Sequence, residues 1–300
     1  MDIRDLYYFQ AVAECEHMAR AAERLFLTQP ALTKAVRRLE ESVGAALFTR
    51  KGRRIALTEP GRLLLERTYS VRRLMDETVS EVKNYAGGLS GHIRLGCAPT
   101  MTKILLPETM SDLLKQAPGV TLELQISISG ELLGQLKDGF LDLVFTHVTG
   151  PIEGYEVVPL VDDDIVVVAG RNHPIFDGPY TVRDLARYRW VLPKASATRP
   201  WLSTALAKHH CSPPVVQIEA SSVIYLPRLM ARTDLLSMLS RRNISGPDDG
   251  DLLREVELEE TCLRRTFCLV YRKGGYLSPA ALRFMELLKA RAALPAGLQP

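Results

Sequence analysis

Side chains that can hydrogen-bond to base edges and phosphates lie on one face of a short helix predicted after Thr28. The Thr28 hydroxyl can cap the first turn, Pro30 needs no hydrogen bond there, and Gly44 ends the helix. The apolar face of this helix is formed by Leu32, Val36, Leu39 and Val43. The opposite face carries Gln29, Thr33, Lys34, Arg37 and Arg38. The amide and the hydroxyl near the N-terminus can hydrogen-bond to base edges, and the cations behind them can bind phosphates. The alternative is an ordinary surface helix with a solvated basic face.

The flanking segments predict the elements that would position this helix. Two earlier helices can pack closely through apolar and small residues, namely Leu6, Phe9, Val12 and Ala13, then Ala19, Ala21, Ala22 and Leu25. Two short strands, 47–50 and 53–57, should follow as a wing with a cationic tip suited to a minor groove. We therefore predict contacts with double-stranded DNA from Gln29, Pro30, Ala31, Thr33, Lys34 and Arg37 on the helix, and from Arg50, Arg53 and Arg54 on the wing.

The distribution of charge supports a DNA-binding head. Residues 1–62 contain 11 Lys and Arg against 8 Asp and Glu, a net charge of +3. Residues 63–300 contain 27 of each, so the formal +3 of the whole chain lies in its first fifth. Such an excess provides an electrostatic footprint for a polyanion.

The order of these residues resembles the head of LysR-type transcriptional regulators. The similarity is continuous over about sixty residues, and it is carried by Leu6-x-x-Phe9, Arg20-Ala21-Ala22-Glu23-Arg24-Leu25, Thr28-Gln29-Pro30-Ala31-Leu32-Thr33, Arg38-Leu39-Glu40, Leu47-Phe48-x-Arg50 and Leu57-Thr58-x-x-Gly61. Two positions depart from the family pattern, which has Ser in place of both His17 and Thr28. The change at His17 puts in doubt a helix cap or phosphate contact at that position.

Length and composition favour a multidomain globular protein. Three hundred residues, 46% hydrophobic and 24% charged, should form two or three compact units. No segment is long and apolar enough for a membrane span, and the N-terminus has acidic residues instead of a signal-peptide core. Five scattered cysteines, Cys15, Cys97, Cys211, Cys262 and Cys268, indicate reduced thiols and a cytoplasmic location.

A long helix should connect the head to the remainder of the chain. Thr58 can cap it, and a heptad-like seam follows with Leu64, Thr68, Val71, Met75, Thr78, Val82 and Tyr85. The alternatives are a dimerising helix and a single helix that lies on its own domain. We favour dimerisation, because a helix-turn-helix protein gains by binding two half-sites, and the family resemblance also implies it. Gly87, Gly88 and Gly91 should end the helix.

From His92 the pattern alternates short strands and helices, which predicts a parallel sheet. Strands are expected at 93–97, 121–128, 141–145, 165–169, 190–192, 215–218, 235–239 and 266–271, with helices at 104–116, 131–137 and 279–292. The fold class is therefore α/β with an N-terminal all-α winged helix-turn-helix. The resemblance implies a two-lobed effector-binding domain like type 2 periplasmic binding proteins. We divide the chain into 1–61, 62–90 and 91–300, with one lobe of 91–162 plus 267–300 and the other of 163–266.

Ligands in such sheets bind at the carboxyl ends of the strands, where helix N-termini favour anions. The expected effector contacts are Thr100, Met101, Thr102, Ser129 and His147 from one lobe, and Lys194, Ser196 and Arg199 from the other. By motif, Thr100 and Ser129 match positions that hold a carboxylate effector in several members of the family. The alternatives are that Thr100 and Ser129 only cap helices, that His147 is a core or loop histidine, and that Lys194 and Arg199 are solvated.

Other functions are less well supported by the sequence. The chain lacks the phosphate-binding, dinucleotide, nucleophile-elbow and helical zinc motifs, so we expect no enzyme and no cofactor. His209, His210 and Cys211 have no partner pair at metal spacing, so no metal site is expected. Redox sensing by Cys262 and Cys268 stays an alternative, and a solute-binding protein would have no use for a basic head. The resemblance implies a ligand-responsive regulator that assembles as a dimer of dimers, with RNA polymerase as a further candidate partner.

Overall fold

The head is a three-helix unit followed by a two-stranded wing. The computed structural model describes residues 2–51, 54–85, 91–194, 198–220, 225–244 and 252–294. The head comprises α1 (Ile3–Cys15), α2 (Met18–Arg24), α3 (Gln29–Val43), β1 (Phe48–Lys51) and β2 (Arg54–Leu57), which pairs antiparallel with β1. As predicted, Thr28 caps α3 by accepting the Ala31 N–H, and Gly44 ends the helix at φ +71°. The buried side of α3 is formed by Leu32, Ala35, Val36 and Leu39.

Two side chains on α3 differ from the expectation. Val43 is 38% exposed, because the helix ends at the next residue and the apolar stripe leaves the core there. Arg38 does not lie free on the polar face, since its Nε donates to Oδ2 of the buried Asp5 over 2.8 Å. This ion pair fixes α3 to α1, so Arg38 has a structural partner that pattern analysis of α3 alone could not reveal.

A 27-residue helix, α4 (Glu59–Tyr85), follows the wing. Thr58 caps it as expected, because its hydroxyl accepts the Gly61 N–H at 3.0 Å. Gly61 is required for close packing, since an added Cβ would lie 2.1 Å from the Leu47 carbonyl oxygen. Of the predicted seam, Val71, Met75 and Val82 are exposed, whereas Thr68 is buried at 2% exposure and donates to the Leu64 carbonyl. Thr68 is therefore unavailable for pairing with a second helix.

The rest of the chain is built on one sheet of two parallel halves joined by long antiparallel strands. The first half has β3 (Gly91–Cys97), β4 (Val120–Ile126) and β5 (Leu143–His147), with α5 (Leu106–Gln116) and α6 (Ser129–Asp138) between them. The second half has β7 (Arg189–Pro193), α7 (Thr198–Lys208), β8 (Val215–Ala220), α8 (Leu226–Met230) and β9 (Leu235–Ser240). The chain then runs through β10 (Leu253–Glu255) and β11 (Leu263–Arg272) to α9 (Pro279–Ala292).

The long strand β6 (Tyr155–Gly170) joins the two halves. It pairs with β11 along both strands, with a register shift between Phe267 and Cys268. The spatial order is β4-β3-β5-β11-β6-β9-β7-β8, and β10 pairs with β6. The separate strand expected at 165–169 is thus the second part of one 16-residue strand. We call the halves the first lobe and the second lobe, each with its own buried clusters.

Local differences from the predicted elements concern the loops next to the sheet. The helix expected over 104–116 is α5, which begins two residues later at Leu106, after a short 3₁₀ turn, Pro99–Lys103. The third strand is displaced to Leu143–His147, because Asp142 turns to accept hydrogen bonds from the main chain and guanidinium of Arg94. The helix α9 has the bounds that the sequence predicts.

Candidate functional site

The N-terminal turn of α3 presents an open polar surface. Gln29, Pro30, Ala31, Lys34 and Arg37 are all exposed. Thr33 is half-buried, and its hydroxyl donates to the Gln29 carbonyl at 2.9 Å. Gln29, Thr33 and Arg37, spaced four residues apart, therefore lie along one face of α3, with the Gln29 amide at its leading edge.

The wing lies beside this face. A hollow of about 260 Å³ separates α3 from β1 and β2, and its walls include Gln29, Thr33, Arg37, Thr49 and Ile55. The Glu40 carboxylate accepts the main-chain N–H of Leu47 at 2.8 Å, which ties the end of α3 to the start of the wing. The main chains of Arg50 and Arg54 lie in β1 and β2, whereas Arg53 lies outside the described residues.

His17 begins α2 without performing the role of a cap. It occupies the N-cap position with extended backbone angles but makes no side-chain hydrogen bond to the helix. The change from the family's usual Ser to His17 put a helix cap at this position in doubt. The described structure shows no side-chain cap from His17.

An open cavity of about 730 Å³ lies where strands of both lobes end. The first lobe contributes the turn after β3, the first turn of α6 and the segment after β5, with Pro99, Ser127, Ser129, Gly130, Glu131, Leu133, His147, Thr149 and Ile152 among its lining residues. The second lobe contributes Pro193 and Lys194 at the end of β7. The structure thus brings Ser129, His147 and Lys194 together across the boundary between the lobes.

Ser129 and His147 form the polar part of this cavity wall. Ser129 is the first residue of α6, and its hydroxyl lies 2.8 Å from that of the fully buried Thr146. It does not cap the helix, because the N-cap is Ile128, so the capping alternative is wrong for Ser129. Burial and then the nearby Arg265 lower the pKa of His147, which therefore acts near neutral pH as a neutral donor or acceptor.

Several predicted effector residues do not line this cavity. Met101 is fully buried in the core of the first lobe, and Thr100 is 9% exposed within the 3₁₀ turn, whose N-cap is Ala98. Thr102 donates to the Pro99 carbonyl at 2.7 Å. These positions differ from the expectation because the chain forms a 3₁₀ turn after β3, and that turn presents Pro99 to the cavity instead. Thr100 does not act as a helix cap either.

The second lobe supplies fewer contacts than expected. Arg199 pairs with Glu219 at 2.9 Å, with both side chains about half exposed, and it is absent from the cavity wall. Lys194 is exposed and reaches the cavity, whereas Ser196 lies outside the described residues. Two lining residues that pattern analysis missed, Glu131 and Thr149, are polar residues in loops and first turns, where sequence periodicity gives no signal.

The boundary between the lobes also contains a buried ion pair. Asp163 on β6 accepts from Arg265 Nε at 2.8 Å and from the Ser240 hydroxyl. The sequence shows an acidic run at 162–164. The run alone does not indicate which carboxylate is buried, because the partner of Asp163 lies 102 residues away.

Burial disfavours ionisation of the thiols of Cys97, Cys262 and Cys268. Burial raises the pKa of the Cys262 and Cys268 thiols, and it raises the pKa of Cys97 to about 12. Cys262 and Cys268 are separated by about 20 Å of extended chain, too far for a disulfide. Within the described residues, no group of three or more His, Cys, Asp or Glu side chains is placed to hold a metal ion, and no helix is long and apolar enough to cross a membrane.

Two family models together match nearly the whole chain. Residues 3–62 match the bacterial regulatory helix-turn-helix protein of the lysR family, and residues 86–293 match the LysR substrate binding domain. The chain is 33% identical to the SDS degradation transcriptional activation protein of Pseudomonas sp., over 93% of each chain. It is 26% identical to the dual regulator OxyR of Escherichia coli, over 97% of this chain and 96% of that protein.

Solved structures show the same fold. The LysR family regulator CbnR superimposes with a TM-score of 0.71 at 22% identity, over 98% of this chain and all of CbnR. Full-length CbnR with its target DNA gives a TM-score of 0.69 at the same identity.

Proposed function

Since the chain belongs to the LysR family of transcriptional regulators, we propose that the exposed face of α3 reads its operator and that the interlobe cavity holds its effector. Regulators of this family are not enzymes, and they bind DNA and small-molecule effectors as oligomers. The chain is accordingly a ligand-responsive DNA-binding regulator.

The assignment to DNA rests on the exposed polar surface at the start of α3. Gln29 at the first position of the helix is free to reach a base edge, whereas Lys34 and Arg37 are exposed cations suited to phosphates. We assign Arg50, Arg53 and Arg54 of the wing to phosphate or the minor groove from their sequence positions. Pro30 and Ala31 lie at the first turn and should approach the DNA backbone closely.

The assignment of the effector rests on the convergence of Ser129 and Lys194 in one cavity. A carboxylate placed at the first turn of α6 would accept hydrogen bonds from the Ser129 hydroxyl and from the main-chain N–H groups of that turn. Lys194 would approach the same ligand from the second lobe, so binding would favour a closed arrangement of the lobes. Glu131 and the neutral His147 also face the cavity, which favours a ligand with a single negative charge and additional hydrogen-bonding groups.

Assembly is proposed to use the apolar side of α4. Val71, Leu74, Met75 and Val82 are 39–67% exposed, a large apolar surface for a helix in solution. Pairing of this stripe with a second copy would bury it, and contacts between effector-binding domains would join two dimers. We propose that the protein acts at promoters in the cytoplasm, with RNA polymerase as a candidate partner.

Binding of the full-length protein to a duplex from upstream of its own coding region tests this function. Fluorescence anisotropy should give a binding constant whose logarithm falls linearly with the logarithm of the salt concentration. A scrambled duplex of equal composition should bind at least about 10³-fold more weakly. Equal affinity for both duplexes, or an affinity independent of salt, would contradict an operator-reading role for α3.

A further inference from the structure

The helix α4 contacts the first lobe through several side chains that lie three or four residues apart. Glu66 pairs with Lys137 at 2.9 Å, and the ring of Tyr69 lies 5.1 Å from that of Phe140. Arg73 contacts the C-cap of α6 so closely that a Cβ at Gly139 would lie 2.6 Å from its Cδ. These positions on α4 are three or four residues apart, so they form a single helical face.

The centre of this contact is a buried ion pair between Glu77 and Arg272. Arg272 Nη2 lies 3.3 Å from Glu77 Oε1, and the two side chains are only 11% and 9% exposed. Glu77 also accepts from Arg73 Nη1 at 2.9 Å. Without Glu77, Arg272 would keep a longer contact, 4.0 Å to Asp142 Oδ1. It would also lie beside Arg73 without the carboxylate that both now share, so the pair favours the docked position of α4.

Arg272 connects this ion pair to the end of α6. Its Nη1 donates to the carbonyl oxygens of Leu136 at 2.7 Å and Leu141 at 2.8 Å. Leu136 lies in the last turn of α6, and its carbonyl also accepts the N–H of the C-cap residue Gly139 at 3.3 Å. The guanidinium that pairs with Glu77 therefore also donates to a main-chain carbonyl group at the C-terminal end of α6.

The other end of α6 forms the wall of the interlobe cavity. Ser129, Gly130, Glu131 and Leu133 line it, and Ser129 lies about 14 Å from Asp138 at the C-terminal end of this ten-residue helix. Between the two ends, Leu132 and Leu136 are fully buried against β5 and β11 in one apolar cluster. A helix packed in this way moves as a unit, because a packed core resists local deformation.

We propose that α6 couples the interlobe cavity to α4, with the Glu77–Arg272 pair as the latch that holds α4 on the first lobe. This inference rests on the proposed function, since it assigns a role to occupancy of the effector cavity. A ligand at the first turn of α6 shifts the helix, and the shift changes the stability of the docked position at the far end. The exposed stripe of Val71, Leu74 and Val82 lies on another side of α4, so the latch acts on the helix that is proposed to pair with a second copy.

Hydrogen exchange of the full-length protein, without DNA or ligand, tests the coupling. Glu77→Gln should accelerate exchange of the amides of residues 133–136 in α6 by about tenfold or more. The matched control is Asp76→Asn, which removes a neighbouring carboxylate that is about half exposed, pairs with Arg72 at 3.9 Å and also acts electrostatically on Arg94. Glu66→Gln, at an exposed position that cannot disrupt the core, should accelerate the same amides to a smaller degree.

The reciprocal experiment separates coupling from local damage. Ser129→Ala perturbs the cavity end of α6, and coupling requires faster exchange in residues 66–77 of α4, because linkage between two sites is mutual. Ser203→Ala on α7 is the control. Unchanged exchange in α4 for Ser129→Ala, or equal effects of Glu77→Gln and Asp76→Asn, would overturn the proposal. Neither result would bear on operator or effector binding, which are measured with DNA and ligand present.

Discussion

Arg265 on β11 donates from Nε to Oδ2 of Asp163 on β6 over 2.8 Å, where both strands pass between the lobes. The Asp163 side chain is fully buried and that of Arg265 is 19% exposed. The guanidinium also lies 4.5 Å from the centre of the Phe267 ring in the core of the first lobe, while Ser240 of the second lobe donates to Asp163. One ion pair thus has partners in both lobes.

Loss of the Asp163 charge should destabilise the protein strongly. Asp163→Asn leaves Arg265 buried without a counter-charge, and we expect the free energy of unfolding to fall by about 3–5 kcal/mol. The control Glu219→Gln breaks the half-exposed pair with Arg199 and should cost less than about 1 kcal/mol. Urea unfolding followed by circular dichroism measures both. Similar losses for the two variants would show that burial of the Asp163 pair has no energetic consequence.

The amide of Gln29 should determine base preference. Gln29→Ala should cost about 1–3 kcal/mol of operator affinity and relax the preference at one base pair, because an amide can bind adenine through two hydrogen bonds. Ser42→Ala, an exposed position near the other end of α3, is the matched control. Affinities for a set of singly substituted duplexes test this, and an unchanged base preference for Gln29→Ala would remove this residue from the reading face.

A charge in the apolar stripe of α4 should prevent assembly. Val71→Asp would place an unpaired carboxylate in the interface between two helices, where burial without a partner is costly. Light scattering should show a lower mass than for wild type. The control Arg72→Glu, on the neighbouring exposed position, should keep the wild-type mass. A monomeric wild type, or a Val71→Asp variant of wild-type mass, would contradict this interface.

Two glycines near the cavity should respond oppositely to alanine. In Gly96→Ala the new Cβ would lie 2.6 Å from a methyl group of Leu141 and 2.9 Å from one of Leu132, so overpacking should cost about 1–3 kcal/mol. Gly134 has open space around it in the middle of α6, and Gly134→Ala should stabilise the protein by about 0.5–1 kcal/mol. Denaturant midpoints of the two variants should move in opposite directions. Movement in the same direction would contradict the packing described around β3.

Local sequence signals predicted much of this fold. Thr28 and Gly44 define α3, Thr58 begins α4, and alternation of apolar residues locates most strands, because these signals act within a few residues. The buried partners were not predictable in this way. Arg38 forms an ion pair with Asp5, and Glu77 forms one with Arg272, which is 195 residues away in sequence. Only the tertiary fold reveals that these charged side chains stabilise the structure.

The candidate effector site shows the same limit. Ser129, His147 and Lys194 end or follow strands, and the rule for strand ends predicted that they would meet. Met101 was placed wrongly because a 3₁₀ turn after β3 moves its side chain into the core. A shift of one residue in where a turn begins decides which of its side chains face the core and which face solvent. No pattern of residue types in 99–103 indicates where this turn begins.

The most direct test of an effector site between the lobes is a thermal-shift measurement with a panel of small mono- and dicarboxylates. We expect at least one acid to raise the melting temperature of the full-length protein, because a ligand that binds only the folded state stabilises it. Ser129→Ala and Lys194→Gln should each reduce that shift, whereas Ser203→Ala and Lys208→Gln should keep it. No stabilising acid for the wild type, or equal shifts in all four variants, would contradict a carboxylate effector in this cavity.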